Sequence, residues 1–495
     1  MRECNFSKEN STVILDAKSA SWGVLLERKS YHLLGICGTA MASLAGMLVA
    51  DGQKVTGSDE NVYPPMSDEL QRLGIPVSKG FSPENLSQRP DIIVVGNAIT
   101  RGNSELEFAL NEKMYCTSMP AVIKDRFIRG HHSVVIAGTH GKTTTTSLMA
   151  WAMECAGANP SFLIGGVAEN FKSSFRISES QYFVIEGDEY DTAYFDKGPK
   201  FMHYLPDTVI LNNVEFDHAD IYRDLASVKF AFSRLINLIP GRGQLIAGSD
   251  SEVVRELAPR AFCQVEYFGT EGEPHWLATD IDCSGEFTSF TVLANGSEFG
   301  RYRTPLPGLY NVRNGLSVIA ACEGLGLDRE AVAQAFVEFK SVKRRMEVRG
   351  KKRGVTVIDD FAHHPTAVRE TLTAARQRYV GQRLVAVFEP RSFTAQRREF
   401  QQAFEEGLAQ ADKIIIAGLF HPDRYPGDTA LRPDDIVQGL RSRDLEADYI
   451  PSPDDIVTHL VPRLKKDDVV VVMSNGAFGR IHEQLLRRLE ETSTK

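Results

Sequence analysis

A chain of 495 residues is too long for a single hydrophobic core, and its length argues for three domains. With 42% apolar and 24% charged residues it reads as a soluble globular protein, and a net charge of −9 argues against a general nucleic-acid or membrane-surface binder. The seven cysteines (Cys4, Cys37, Cys116, Cys155, Cys263, Cys283 and Cys322) are scattered without a C-x-x-C pair, which argues against a disulfide framework or a zinc site and for a cytoplasmic location.

Residues 1–30 are polar and weakly patterned. They lack the apolar core of a signal peptide and read as an extension with no assigned function. Leu33–Ala50 carries no charge over about a membrane-spanning length. Gly35, Gly38 and Gly46 interrupt it, so the stretch reads as strand, turn and helix. Tyr31–Ile36 is the strand, GICGTAM (35–41) the turn, and the helix runs through Val49. Val55–Asp59 is a second strand ending in an acid, giving a Rossmann-like βαβ unit. Such a turn serves tight packing of helix on strand, or it holds a nucleotide diphosphate at the helix N-terminus with Asp59 near a ribose or base. Asp91–Val95 and Ser104–Glu112 continue the strand–helix alternation through a first α/β domain, 31–130.

A second domain, 131–340, opens on SVVIAGTHGKTTTTS (133–147). Val134–Ala137 reads as a buried strand, Gly138–Gly141 as a turn, and Lys142 to Cys155 as a helix. This is the layout of a phosphate-binding loop, with shorter glycine spacing than the common form. Backbone N–H groups and the helix N-terminus favour an anion there. Lys142 can neutralise phosphate charge, and the Thr143 hydroxyl can reach Mg²⁺. The strand Tyr182–Ile185 delivers EGDEYD (186–191), whose crowded acids repel unless a cation sits among them. The strand Thr208–Leu211 delivers NNVEFDH (212–218). Both clusters fall at carboxyl ends of strands, where ligands collect in open α/β sheets. Glu186 and His218 are the candidate metal ligands, while Asp188, Glu189 and Asp191 read equally well as a solvated loop. Residues 223–239 read as a helix, 261–303 as short alternating strands, and Asn311–Gly324 and Arg329–Phe339 as amphipathic helices.

The third α/β unit, 341–495, follows the basic Lys343-Arg344-Arg345. Its strands are Val355–Ile358, Leu384–Phe388, Lys413–Ala417 and Val469–Met473. Three carry chemistry-bearing ends: DDFAHHP (359–365), EPRS (389–392) and SNG (474–476).

The order and spacing of GICGTAM, TGSD (56–59), AGTHGKTTTT (137–146), EGDEYD, NNVEFDH, LPGLYNVRN (306–314), RRMEV (344–348) and DDFAHHP resemble the Mur ligases, which build the peptide stem of bacterial cell-wall precursors. SDENVYPPMS (58–67), GNAITRGN (96–103), DTAYFDKGPKFMHY (191–204), EPRSFT (389–394) and MSNGAFGRIH (473–482) are similar to the branch that attaches a ready-made peptide.

The resemblance implies a Rossmann-like UDP-binding domain, a central ATPase-like domain with a mostly parallel sheet, and a C-terminal Rossmann-like domain for the amine substrate. The implied reaction joins UDP-N-acetylmuramate to L-alanyl-γ-D-glutamyl-meso-diaminopimelate through an acyl phosphate, with ATP and Mg²⁺. The UDP-sugar would lie on Gly38, Thr39, Ala40, Met41, Ser58 and Asp59. ATP would lie on Gly138, Thr139, His140, Gly141, Lys142, Thr143, Thr144, Asn311, Arg345 and Asp360. Thr143, Glu186 and His218 would serve the metal, Lys142, Arg345 and His363 the catalysis, and Arg391 and Ser392 the peptide. Tyr310 stands where a G-x-H-N motif has histidine. Phe232 stands where several members carry a carbamylated lysine, with Lys229 three positions earlier, so no carbamate is expected. Small-molecule substrates, no nucleic acid or membrane, and a monomer or weak homo-oligomer complete the expectation. L-Alanine as acceptor, a nucleotide-binding regulator without ligation, and an oxidoreductase resting on the first glycine turn are the competing readings.

Overall fold

The computed structural model describes residues 28–63, 66–425 and 427–491, so the expected extension over 1–30 lies outside the described residues up to residue 27. Three parallel-dominated sheets form three successive α/β lobes. In the first, the strands run in the order Val77–Lys79, Lys54–Asp59, Ser30–Leu34, Ile92–Val95, Cys116–Ser118, every pair parallel. The order reverses beside Ser30–Leu34, and the glycine turn opens at that switch point. The uncharged stretch is strand, turn and the helix Thr39–Ala50, as read. Gly46 lies where the ring of Phe175 from the central lobe packs: a Cβ there would sit 2.3 Å from the ring. Ser43 Oγ meets Ser174 Oγ at 2.9 Å in the same seam.

The central sheet has ten strands. His132–Ala137, Tyr182–Gly187, Thr208–Leu211 and Gln244–Gly248 form its parallel middle, because their β-branched and aliphatic residues are buried on both faces. Trp276–Asp282, Thr288–Ala294 and Ser297–Thr304 form one antiparallel edge. Ser161–Ala168 with Ser173–Arg176 forms the other. That second hairpin carries paired glycines and serines in place of a clean alternation, so the sequence gives it little signal. The helix Lys142–Cys155 starts where it was expected. The helix expected to be amphipathic over Asn311–Gly324 runs from Leu309 to Gly324 and is buried over most of its surface, between Lys142–Cys155 and strands of the central sheet.

The third sheet pairs Glu347–Lys352 antiparallel with Val355–Asp360, then continues in parallel through Val469–Met473, Leu384–Phe388, Lys413–Ile416 and Glu446–Tyr449. Among the described residues the cysteines are free thiols. Among them too, no helix is long and apolar enough to cross a membrane.

Candidate active site

The loop after His132–Ala137 is laced to the segment after Thr208–Leu211. Asn213 Oδ1 accepts from the His140 amide at 2.8 Å, and Thr139 Oγ1 accepts from the Glu215 amide at 2.8 Å. Gly141 has φ +82°, the left-handed region that glycine adopts without strain. A Cβ there would stand 2.4 Å from Asn314 Oδ1. The first amides of the following helix, including those of Lys142, Thr143 and Thr144, have no carbonyl four residues back within the helix and favour an anion.

Lys142 Nζ lies 2.9 Å from the Glu189 carboxylate and donates to the Gly138 carbonyl at 2.7 Å. Burial would lower the pKa of its ammonium, but Glu189, Asp188 and Glu186 outweigh burial and hold it raised. Glu189, which reads in the sequence as well for a solvated loop as for a ligand, is 2% exposed. It bridges the lysine to His218, whose Nε2 is 3.0 Å away. Burial would raise the Glu189 carboxyl, and Lys142 and His218 together hold it down. For His218 burial would lower the pKa, and Asp217 and Glu189 raise it instead.

Glu186 takes the Thr143 hydroxyl at 3.0 Å and the Gly165 amide at 2.9 Å. Burial holds its carboxyl above the usual range against the pull of Lys142. The 3.0 Å between Thr143 Oγ1 and Glu186 Oε1 fits the about 2.9 Å edge of an oxygen octahedron around Mg²⁺. These two residues therefore suit the expected metal. His218, expected with them, is engaged by Glu189 instead.

The third lobe reaches this centre through Arg345, whose guanidinium lies 3.4 Å from Thr143 Oγ1 and over the Phe361 ring. Asp360, expected to contact ATP, is buried and accepts from the Met346 and Ala362 amides, both at 2.8 Å. It braces the Arg345 loop. Burial raises the Asp360 carboxyl, with Arg345 pulling the other way. His363 Nδ1 lies 3.0 Å from the Phe361 carbonyl, which fixes the proton on Nδ1 and leaves Nε2 a lone pair, 3.9 Å from Asp217. Burial lowers the His363 pKa, so the ring is neutral and able to accept a proton.

A cavity of about 530 Å³ opens between the central and third lobes. His140, Gly141, Asn212, Glu215, Tyr310 and Asn314 are on its wall. Tyr310, at the position of the motif histidine, lines it directly; Asn311 lies behind, its amide donating to the Pro307 carbonyl at 2.8 Å. Asn314, which lines the cavity, donates in turn to Asn311 Oδ1 at 3.2 Å. Asp250 and Arg313 close the cavity through a 2.6 Å contact, and Arg313 also reaches Glu370 of the third lobe at 3.4 Å. Sequence reading missed this pair; its only trace is that Asp250 follows the carboxyl end of Gln244–Gly248.

In the first lobe Gly38, Thr39 and Ala40 are exposed at the start of their helix, with Met41 buried behind them. Asp59 accepts from the Cys37 amide at 2.9 Å, which shapes the glycine turn. Ser58 is fully buried and gives its hydroxyl to Glu105 at 3.0 Å, so it is not presented to a ligand here. Arg391 Cζ lies over Phe420, 3.3 Å from the ring centroid, and Ser392 Oγ accepts from the Ala395 amide. Phe232 is buried against Phe201, and Lys229 pairs with Glu256 on the surface.

Three α/β lobes, a phosphate loop opening the second, and an arginine reaching it from the third define a nucleotide-dependent ligase architecture. Residues 30–127 match the Mur ligase family, catalytic domain; 136–322 match the Mur ligase middle domain; and 344–476 match the Mur ligase, glutamate ligase domain. The chain belongs to the Mur ligase family, a family of ATP-dependent, ADP-forming amide ligases. It is 40% identical to the UDP-N-acetylmuramate–L-alanyl-γ-D-glutamyl-meso-2,6-diaminoheptandioate ligase of Escherichia coli (strain K12), over 92% of this chain and 97% of that one. The crystal structure of a murein peptide ligase from Psychrobacter arcticus 273-4 superposes with a TM-score of 0.69 at 34% identity, covering 93% of this chain and 99% of that one. A UDP-N-acetylmuramate–L-alanine ligase from Clostridium tetani is 32% identical over 93% of this chain and 98% of its own length.

Proposed function

We propose that this chain joins UDP-N-acetylmuramate to L-alanyl-γ-D-glutamyl-meso-diaminopimelate, converting ATP to ADP and phosphate in peptidoglycan recycling in the cytoplasm. The observation that carries the reading is the 40% identity to the E. coli ligase of that name along nearly the whole of both chains. In this reading residues 31–130 hold the UDP-sugar, 131–340 hold ATP, and 341–495 hold the peptide. One chain supplies every residue invoked below.

A carboxylate does not acylate an amine at neutral pH, because its leaving group is poor. Transfer of the γ-phosphoryl group of ATP to the muramate carboxylate makes an acyl phosphate, which the peptide's L-alanine amine attacks with loss of phosphate. Lys142 and the loop amides bind the phosphates and spread the charge that develops on them. Thr143 and Glu186, with His218 beside Glu189, would hold Mg²⁺, which would supply further neutralisation of phosphate charge. Arg345 brings a second cation from the third lobe. Nε2 of His363 takes the proton the amine must lose. Arg391 and Ser392 face the peptide, with Arg391 meeting a carboxylate that diaminopimelate has and lysine lacks.

The test supplies UDP-N-acetylmuramate and ATP with the tripeptide, its lysine counterpart or L-alanine, and follows ADP, phosphate and amide product. Ligation of the diaminopimelate tripeptide well ahead of the others, with no AMP, is the expected result. Ligation of L-alanine alone would move the chain to the other branch. Release of AMP and pyrophosphate would replace the acyl phosphate by an adenylate.

A further inference from the structure

At the rim of the cavity, His140 of the phosphate loop, Glu215 and His364 of the third lobe bring their donor atoms within 4.8 Å of one another. Three features show how the donor atoms of this corner are arranged. His364 Nε2 lies 3.2 Å from the Phe216 carbonyl, so that nitrogen carries the proton and Nδ1 carries the lone pair. That lone pair accepts the Thr366 amide at 3.3 Å as the cap of its helix and lies 3.4 Å from a Glu215 oxygen, which itself accepts the Thr366 hydroxyl at 2.8 Å. His140 Nε2 lies 3.1 Å from the same oxygen. Both partners are in their lone-pair form at neutral pH. Burial and His140 press the His364 pKa down to about 4; the Glu215 carboxyl, which burial would raise, is held down to about 2 by His140.

We propose that His140, Glu215 and His364 form a second cation site, separate from Thr143 and Glu186, that takes a borderline divalent transition metal such as Zn²⁺ and ties the phosphate loop to the third lobe. Two imidazoles and one carboxylate are the donor set that Zn²⁺ prefers and that the oxygen-seeking Mg²⁺ does not. Ligand bonds of about 2.0–2.1 Å in a tetrahedron separate ligands by about 3.3 Å. The separations to Glu215, 3.1 and 3.4 Å, already meet that. Only the two imidazoles must draw closer, and their ring centroids are 4.7 Å apart. The Phe216 carbonyl supplies the outer contact that orients a metal-bound histidine. His140 Nε2 donates to Glu215 in the ion-free site; on metal binding its remaining proton moves to Nδ1 and Nε2 becomes the ligand. The fourth position is open to water or a phosphate oxygen. Because the ligands come from two lobes, the bound ion opposes their separation.

The experiment reads metal binding without substrates, so it stands or falls apart from the proposed ligation. The full-length chain, in excess Mg²⁺, is dialysed against Zn²⁺ and its metal content measured; Co²⁺ is added separately for its visible spectrum. One zinc per chain, at least tenfold weaker binding in both Glu215→Gln and His364→Asn, and a cobalt spectrum of low coordination number without a thiolate band are expected. Glutamine keeps an oxygen for His140 and Thr366, and asparagine keeps a helix-capping oxygen. No retained zinc, undiminished binding in both variants, or loss of binding on thiol alkylation overturns the site. Should either variant fail to fold, the wild-type cobalt spectrum decides: a thiolate band, or no band, overturns it. Small-angle scattering reads the tie between lobes. Zinc should narrow the distance distribution and a chelator should reverse this; an unchanged profile overturns the tie.

Discussion

Lys142→Ala tests the centre of the site, because the lysine serves both stability and chemistry. Its ammonium is 2.9 Å from Glu189, and the two side chains are 12% and 3% exposed. Unit charges at that distance attract by about 6 kcal/mol at an effective dielectric near 20, before desolvation is subtracted. Removing one partner of a buried pair leaves the other uncompensated and costs about 3–5 kcal/mol. Here His218 still donates to Glu189, so the low end, about 3 kcal/mol, is expected in urea unfolding. ADP release with UDP-N-acetylmuramate and the tripeptide should fall at least about a hundredfold. Adding Glu189→Gln separates the two effects: the double variant should recover part of the lost stability and none of the activity. Near-normal ligation by Lys142→Ala would refute the phosphate-loop assignment. Strictly additive stability losses would refute the pair.

Gly141→Ala forces a left-handed backbone on a residue with a Cβ and drives that carbon at Asn314, so it should lose at least about 1–2 kcal/mol and raise the KM for ATP; an unchanged melting curve and KM would contradict the geometry. Thr143→Val removes the oxygen shared by Glu186 and Arg345 and should raise the Mg²⁺ concentration for half-maximal turnover by about tenfold, read from a magnesium titration at fixed ATP. Below about pH 6.5 the unfolded chain protonates His364 while the folded chain, with its pKa near 4, does not. Stability should therefore fall as pH drops from 6.5 to 4, by about 3 kcal/mol from this group. His364→Asn should flatten the slope in that window, and an equal slope in the variant would contradict it.

Much of the fold was legible because its strands are short β-branched runs with chemistry at their carboxyl ends. Lys142–Cys155 and Thr208–Leu211 are bounded as read. What escaped was set by partners distant in sequence. Glu189 looked like a member of a solvated acidic run; only the fold shows that it lies between Lys142 and His218. Ser58 and Asp360 are ligand contacts by the family resemblance, yet both turn inward to satisfy buried neighbours. The edge hairpin Ser161–Arg176 left almost no pattern because its role is to meet another lobe.

That hairpin joins the first two lobes. With Phe175 filling the notch at Gly46 and Ser174 joined to Ser43, the first lobe, the proposed platform of the UDP-sugar, is keyed to the sheet that carries the phosphate loop. The chain passes into the third lobe near residues 341–346, where Ser341, Arg344 and Met346 all have positive φ. Were the third lobe to swing about that joint in the proposed reaction, the keyed pair would hold the acid and the nucleotide aligned while the peptide is exchanged.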